Sequence, residues 1–444
     1  MHPADFETAG TGGGDANSSF GHAMRNKHFF FAPSYRPLNH GSFGVFPRMV
    51  QEYQQRLQLE SEARPDTFIR YTYPALLKEA RASIAPLLGA STDEVVFVQN
   101  ATSGVNTVLG NLIFKPGDVI LHFSTIYGAC LKTIQYLGSN NPVESYQIDI
   151  EYPMEDEEIV QVFLDSAQRV RSQGKTPVVA MFDSVLTFPG ARFPWEKLVD
   201  ICRKLGVMSL VDGAHGIGHI DLTHLGRVGP DFFISNCYKW LMVPRGCAVI
   251  YVPFRNQHLI QTTCPTSWGF QTTIDRAKLN KSEYFVKLFE KISTTDNTPY
   301  LCVPIALQFR KSHCGGESTV MSYCTKIAKD GGRKMAEIMG TETLTNVTGS
   351  LQQCCFVNVR LPVTLADLDA PDSKGLHIAK WMQEKTPAEY ETYIPIKFYK
   401  GGFWCRISGQ IYLTIDDFEW AAETLMDLCK RVKGGEWKTV SNMG

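Results

Sequence analysis

Long apolar runs are missing from this 444-residue chain: the longest, such as CAVIYV at 247–252, fall far short of the roughly 20 residues a membrane-spanning helix needs. An excess of one charge is missing too. The 44 Lys and Arg stand against 45 Asp and Glu for a net charge of −1, so no field of one sign draws nucleic acid or an acidic membrane surface. The opening MHPADFETAGTGGGDANSSFGHAM has no apolar h-region; residues 1–22 read as a flexible tail, and a cytoplasmic protein is expected. No CxxC pair and no HExxH occurs, so neither a zinc ribbon nor a zincin is indicated and no metal is expected. GTGGG in the tail and the GIG of AHGIGH complete neither a dinucleotide fingerprint nor a Walker sequence. The 12 cysteines are scattered without an export signal, and are expected to be reduced core residues.

What is present is ordinary in composition, 44% hydrophobic and 20% charged, and long enough for two or three domains. From about residue 95 a rhythm sets in. VVFVQN (95–100), VILHF (119–123), SYQID (145–149), VVAMFDS (178–184), MSLVDG (208–213), FFISNC (232–237) and CAVIYV (247–252) read as strands. Helical patterns such as SGVNTVLGNLIF and PWEKLVDICRKLG fill several intervals, which indicates βαβ units and a mostly parallel sheet. The last two strands are too close for a crossover helix and are expected to pair antiparallel. A doubly wound α/β domain follows, with its site outside the carboxyl ends of the strands. After residue 300 the texture becomes α+β: an amphipathic helix in VMSYCTKIAKDGGRKMAEIMG, a strand in CCFVNVRLP, helical LHIAKWMQEK, strand-like RISGQIYL and the closing helix DDFEWAAETLMDLCKRV. The division expected is a large domain over 23–300, its N-terminal segment packing partly with the small domain, and a smaller domain over 301–444.

Two residues stand out in apolar surroundings. Asp212 ends the strand MSLVD, and Lys239 follows the next strand inside FFISNCYKWLMV. Both are placed to project into the carboxyl-end crevice. A lysine in a dry pocket loses its proton readily and attacks aldehydes, and a fixed carboxylate keeps a pyridinium nitrogen protonated. Those are the two tools of a pyridoxal phosphate enzyme. A structural ion pair, or a strand-end lysine reaching solvent, would use the same residues. Ala101 and Thr102, at a strand-to-helix turn, suit an anion such as a phosphate, or serve only to start the helix.

VDGAH, ISNCYKW and PRGCAVIYV together resemble the class V aminotransferase group of fold-type I pyridoxal phosphate enzymes, which includes cysteine desulfurases and isopenicillin N epimerase-like proteins. LNHGSFGVFP, EARPDTFIRY, NATSGVNTVL, STIYGAC, RNQHLI, PTSWGF and FWCRISGQIYL extend the resemblance over nearly the whole chain. They resemble a fungal branch holding the carbon–sulfur lyase of ergothioneine biosynthesis and the enzyme that builds the loline alkaloid core. The resemblance implies the fold-type I transferase fold, a seven-stranded mostly parallel sheet with a smaller α+β C-terminal domain. It makes Lys239 the cofactor-bearing lysine, Asp212 the partner of the pyridine nitrogen, and His215 a neighbour of the ring's phenolic oxygen, with Thr187 on the same side. Tyr127 matches the aromatic residue stacked on the ring and stands beside Lys239 as a catalytic residue. Ala101, Thr102, Asn236 and Tyr238 match the phosphate site. Arg406 matches the arginine that pairs with a substrate carboxylate, with Asn39 and His40 beside it as substrate contacts. Thr294 matches a position that reaches the neighbouring subunit's phosphate, which implies a homodimer.

Two departures bear on the substrate. Tyr238 stands where a histidine is usual, and DSVLTFPGARFP replaces a Ser-Ser pattern, putting Thr187 for a smaller hydroxyl and adding the bulk of Phe188. The reaction expected is β-elimination from an amino-acid substrate, a cysteine S-conjugate or sulfoxide. The alternative is carbon–carbon bond formation and ring closure of the loline type. A cysteine desulfurase, with Cys264 or Cys314 as sulfur acceptor, ranks third.

Overall fold

The computed structural model describes residues 20–276 and 281–438, so all but the last three residues of the 1–22 tail lie outside it. The described chain forms two compact units: residues 44–187 with 193–317, and residues 20–43 with 188–192 and 318–438.

The first unit opens with helices α1 (Arg48–Ala63) and α2 (Tyr73–Ile84). Seven strands follow: β1 (Val95–Val98), β2 (Asp118–Phe123), β3 (Val143–Ile148), β4 (Thr176–Asp183), β5 (Met208–Asp212), β6 (Phe232–Asn236) and β7 (Ala248–Tyr251). Between them lie α3 (Ala101–Asn111), α4 (Gly128–Asn140), α5 (Asp156–Ser172) and α6 (Trp195–Leu205), and α7 (Val303–Cys314) comes late in the unit. Helix α5 shows how local chemistry sets an element. Glu155 and Glu158 form a capping box at its start, acids fill its first turn, and Arg169 and Arg171 sit in its last, as the helix dipole favours.

The strand order is β1-β7-β6-β5-β4-β2-β3. Strands β2 to β6 run parallel, and β7 is antiparallel to both β6 and β1. Every strand expected between 95 and 252 is present, and the short interval after β6 gives the antiparallel pair it requires. Apolar runs such as Val95–Val98 are buried throughout, as strands covered on both faces must be. Edge strand β3 instead exposes Glu144, Ser145 and Gln147, a polar border that discourages edge pairing. Because β5 lies between β4 and β6, the carboxyl ends of three strands stand side by side, with Asp183 opposite Asp212 in the register.

The second unit carries an antiparallel sheet ordered β8-β10-β9, from β8 (Phe356–Thr364), β9 (Ile396–Tyr399) and β10 (Gly402–Ser408). Helices α8 (Glu317–Met339), α9 (Gly375–Glu389) and α10 (Ile415–Lys433) accompany it. Strand β9 is not among the expected elements. It is four residues long, and Lys400 and Gly401, both at positive φ, turn it into β10 as a two-residue hairpin loop. Among the described residues no helix is long and apolar enough to cross a membrane.

The N-terminal segment of this unit is fastened by one buried acid. Asp417, in the first turn of α10, receives Arg25 Nη2 at 2.7 Å, His22 Nε2 at 3.0 Å and Arg36 Nη1 at 3.2 Å. Burial works to raise its pKa, but the hydrogen bonds from Arg25 and the Thr414 N–H prevail and hold the carboxyl below its usual range. A depressed carboxylate contributes stability that is present above its unfolded pKa, about 3.9, and is lost as pH falls through the lower native value. Asp417→Asn should therefore cost about 3 kcal/mol at neutral pH, the scale of a broken buried pair. In thermal unfolding followed by circular dichroism, its deficit against the wild type should shrink below about pH 4. A deficit independent of pH would assign the loss to packing.

Candidate functional site

The carboxyl ends of β4 and β5 bring two acids together. Asp212 is buried; its Oδ1 accepts from the Ala214 N–H at 2.9 Å and its Oδ2 from the Cys130 thiol at 3.4 Å. Burial raises its pKa, against the Ala214 N–H, the Lys239 charge and the Cys130 thiol. Asp183 is raised further, by burial first and then by the charge of Asp212. Two carboxyls at adjacent strand ends thus resist carrying two negative charges, and Asp183 is raised well above its usual range.

After β6 the chain turns through a four-residue helix, Cys237–Trp240, that carries Lys239. Lys239 Nζ lies 3.2 Å from His215 Nε2, and Thr187 Oγ1 lies 3.3 Å from the same nitrogen. The Trp240 indole donates to His215 Nδ1 at 3.2 Å. The structure therefore brings Thr187, His215 and Lys239 together around one imidazole. Two close backbone approaches hold the lysine turn. A Cβ on Gly44, at φ +63°, would lie 1.7 Å from the Tyr238 carbonyl oxygen. One on Gly218, at φ +75°, would lie 2.8 Å from the Trp240 carbonyl carbon. Only glycine fits either place. Buried Arg310 of α7 donates to the carbonyls of Trp240 at 3.0 Å and Gly218 at 3.2 Å, and its charge is met by Glu317 at 2.7 Å.

At the start of α3 the Ala101 N–H donates to Asn236 Oδ1 at 2.8 Å. That bond orients the Asn236 amide and leaves its Nδ2 as a donor. Thr102 is half-buried in the same first turn. Tyr127, 47% exposed, precedes α4. The Tyr238 phenol is half-buried; burial raises its pKa, and Tyr127 adds to the shift. Thr294 lies on the wall of a cavity of about 1250 Å³ that Tyr71, Tyr284 and Trp268 also line. Trp268 is 86% exposed in this chain.

In the second unit, Arg406 lies on β10 with its guanidinium over the Phe356 ring, 4.5 Å from the centroid. Its Nη2 donates to Asn39 Oδ1 at 2.9 Å and to Ser42 Oγ at 3.1 Å. Gly190 makes room for it, since a Cβ there would stand 2.8 Å from Arg406 Cδ. Burial draws the Arg406 pKa down to about 10, opposed by Tyr393 and Cys354. His40 Nδ1 meets the Tyr412 hydroxyl at 2.7 Å.

Sequence reasoning missed Asp183, Cys130, Trp240 and Arg310. Asp183 carried a readable signal, since VVAMFD ends in an acid just as MSLVD does. The contacts of the other three are set by orientation in space and leave no mark in spacing.

The aminotransferase class V family model matches residues 48–361. The chain is 35% identical to the L-cysteine desulfhydrase-like protein lolT1 of Epichloe uncinata, over 92% of this chain and 96% of that protein. It is 31% identical to the hercynylcysteine sulfoxide lyase of Schizosaccharomyces pombe, over 93% of this chain and 99% of the relative. Among solved structures, the cystine C–S lyase C-DES in complex with its product cysteine persulfide matches with a TM-score of 0.70 and 17% identity, over 91% of this chain and 98% of that one. That likeness shows the fold.

The groups in the first unit fit pyridoxal phosphate. An amine faces an imidazole, a buried carboxyl ends the neighbouring strand, and a helix N-terminus with hydroxyl and amide groups stands ready for an anion. The thiols test how dry this region is. Burial pushes the Cys130 thiol far up, whereas Cys264 is the exposed cysteine of the 12. In native protein, Ellman's reagent should titrate about one thiol per chain, mapped to Cys264, and the rest only on unfolding. Fast reaction at Cys130 would contradict the burial of the Asp212 site.

Proposed function

Because the chain belongs to the class V aminotransferase family, we propose that it is a pyridoxal phosphate-dependent carbon–sulfur lyase that expels a sulfur leaving group from Cβ of a cysteine S-conjugate or its sulfoxide. The observation that carries this reading is Lys239 Nζ, 3.2 Å from His215 Nε2, on the turn one strand beyond the buried Asp212. Likeness to a hercynylcysteine sulfoxide lyase over nearly the full length of both chains supports sulfur as the leaving atom.

Bound, the cofactor supplies an electron-withdrawing ring that makes the α-hydrogen of an attached amino acid acidic. Lys239 is the residue that would hold it covalently, and Asp212 would accept from the ring N–H. Thr102, Asn236 Nδ2, the Tyr238 phenol and the N-terminus of α3 would hold the phosphate, with Tyr127 covering the ring. Arg406 would receive the substrate carboxylate in a two-pronged contact, its plane set by Asn39 and Ser42. As a free amine, Lys239 Nζ would take the proton from Cα, and the Cβ–S bond would break with its electron pair leaving on sulfur. The three-carbon enamine left behind hydrolyses to pyruvate and ammonia. Thr294 would complete the phosphate site of a second copy in a homodimer, which light scattering should show as twice the chain mass. We infer a cytosolic enzyme, where thiols stay reduced; none of the 12 cysteines is in a disulfide.

Borohydride treatment of the yellow holoenzyme should fix the cofactor's mass on the peptide containing Lys239. The same holoenzyme should release pyruvate from a cysteine S-conjugate sulfoxide, and Lys239→Ala should not. Label on another lysine would sink the assignment. A carbon–carbon-bonded product in place of pyruvate would favour ring formation. Loss of turnover in Cys264→Ser would favour a desulfurase.

Arg406→Ala should weaken apparent substrate affinity by about 2–5 kcal/mol while leaving the cofactor absorbance intact. A variant that loses cofactor yet keeps its substrate affinity would refute the role.

A further inference from the structure

We propose that Trp240 is a positioning residue that fixes His215 in its Nε2–H tautomer, making the imidazole a standing hydrogen-bond donor toward Lys239. The effect on lysine chemistry rests on reading this turn as the cofactor site; the tautomer itself does not.

An indole N–H only donates. Standing 3.2 Å from His215 Nδ1, Trp240 Nε1 requires a lone pair there, which excludes both the Nδ1–H tautomer and the imidazolium. The single ring hydrogen must then sit on Nε2. Near that nitrogen stand Lys239 Nζ at 3.2 Å and Thr187 Oγ1 at 3.3 Å. Toward either it acts only as a donor. A lysine that accepts from Nε2–H must present its own lone pair, so this tautomer selects the neutral amine, the form that attacks a carbonyl carbon. The opposite tautomer would offer Nε2 as an acceptor and hold the ammonium form instead. In the loaded protein the same N–H remains aimed at whatever acceptor the ligand offers beside Lys239.

The indole is held where this requires it. Trp240 is buried, and the His219 ring packs on it with centroids 4.0 Å apart. Arg310 holds its carbonyl, and Gly218 lets the neighbouring turn close against its backbone. The titratable groups around His215 are Lys239 and His219, with Asp183 and Asp212 at the adjacent strand ends. Core packing alone would explain the burial of Trp240, but it would not direct the only donor of its side chain at one nitrogen of the histidine beside the lysine.

The test is long-range ¹H–¹⁵N spectroscopy of holoenzyme labelled at its 11 histidines, with His215 assigned by the loss of its signals in His215→Gln. The wild type should show a pyridine-type Nδ1 and a pyrrole-type Nε2 that persist through the range in which free histidine titrates, around pH 6.5. An imidazolium pattern or a pyrrole-type Nδ1 overturns the proposal. Trp240→Phe keeps an aromatic ring but removes the donor. It should add a titration step in the cofactor absorbance near that pH, and Trp240→Phe combined with His215→Gln should lack the step. If Trp240→Phe titrates as the wild type does, Trp240 only packs and the proposal fails. Pyruvate release separates the two readings: a wrong tautomer in an enzyme that eliminates sulfur refutes this inference alone, and the right tautomer in a protein that releases no product refutes the lyase.

Discussion

Arg310 makes the contact on which the rest of the first unit's site depends. Its guanidinium, buried in α7, donates to the carbonyls of Trp240 and Gly218 and is neutralised by Glu317. Those two carbonyls belong to separate loops, one carrying Lys239 after β6 and the other following His215 after β5. One charged group therefore bridges the turn that carries Lys239 and the segment that follows His215. Removing Arg310 would leave Glu317 without that partner and two buried carbonyls without their donor, a larger loss than any single hydrogen bond. Gly44 and Gly218 serve the same end by letting backbone approach where a side chain would collide.

Burial then shapes the chemistry. Asp183 and Asp212 are both raised because water is kept from them. An N–H and a thiol directed at Asp212 favour its charged form. In the second unit the same physics acts with opposite sign: burial lowers the pKa of Arg406, and a carboxylate beside it would raise it again.

Much of this was legible in the sequence. Strand runs alternating with helical patterns gave the sheet of the first unit, and the short interval between β6 and β7 gave its antiparallel turn. Asp212 and Lys239 could be picked out because an acid and a lysine are anomalous in apolar strands. Strand β9 escaped because it is short, carries a lysine and takes its identity from pairing with β10. Trp240 and Arg310 escaped for another reason. A tryptophan in an apolar run and an arginine on a helix look like core and surface, and only the direction of their N–H groups reveals what they hold.

The most direct measurement follows the α-hydrogen. The holoenzyme is given a cysteine S-conjugate sulfoxide carrying deuterium at Cα, and pyruvate and the sulfur fragment are quantified by mass spectrometry. Lysine-mediated elimination predicts both products in equal amounts, at a rate slowed by the deuterium. A product that keeps its Cα deuterium and its Cβ–S bond would contradict it.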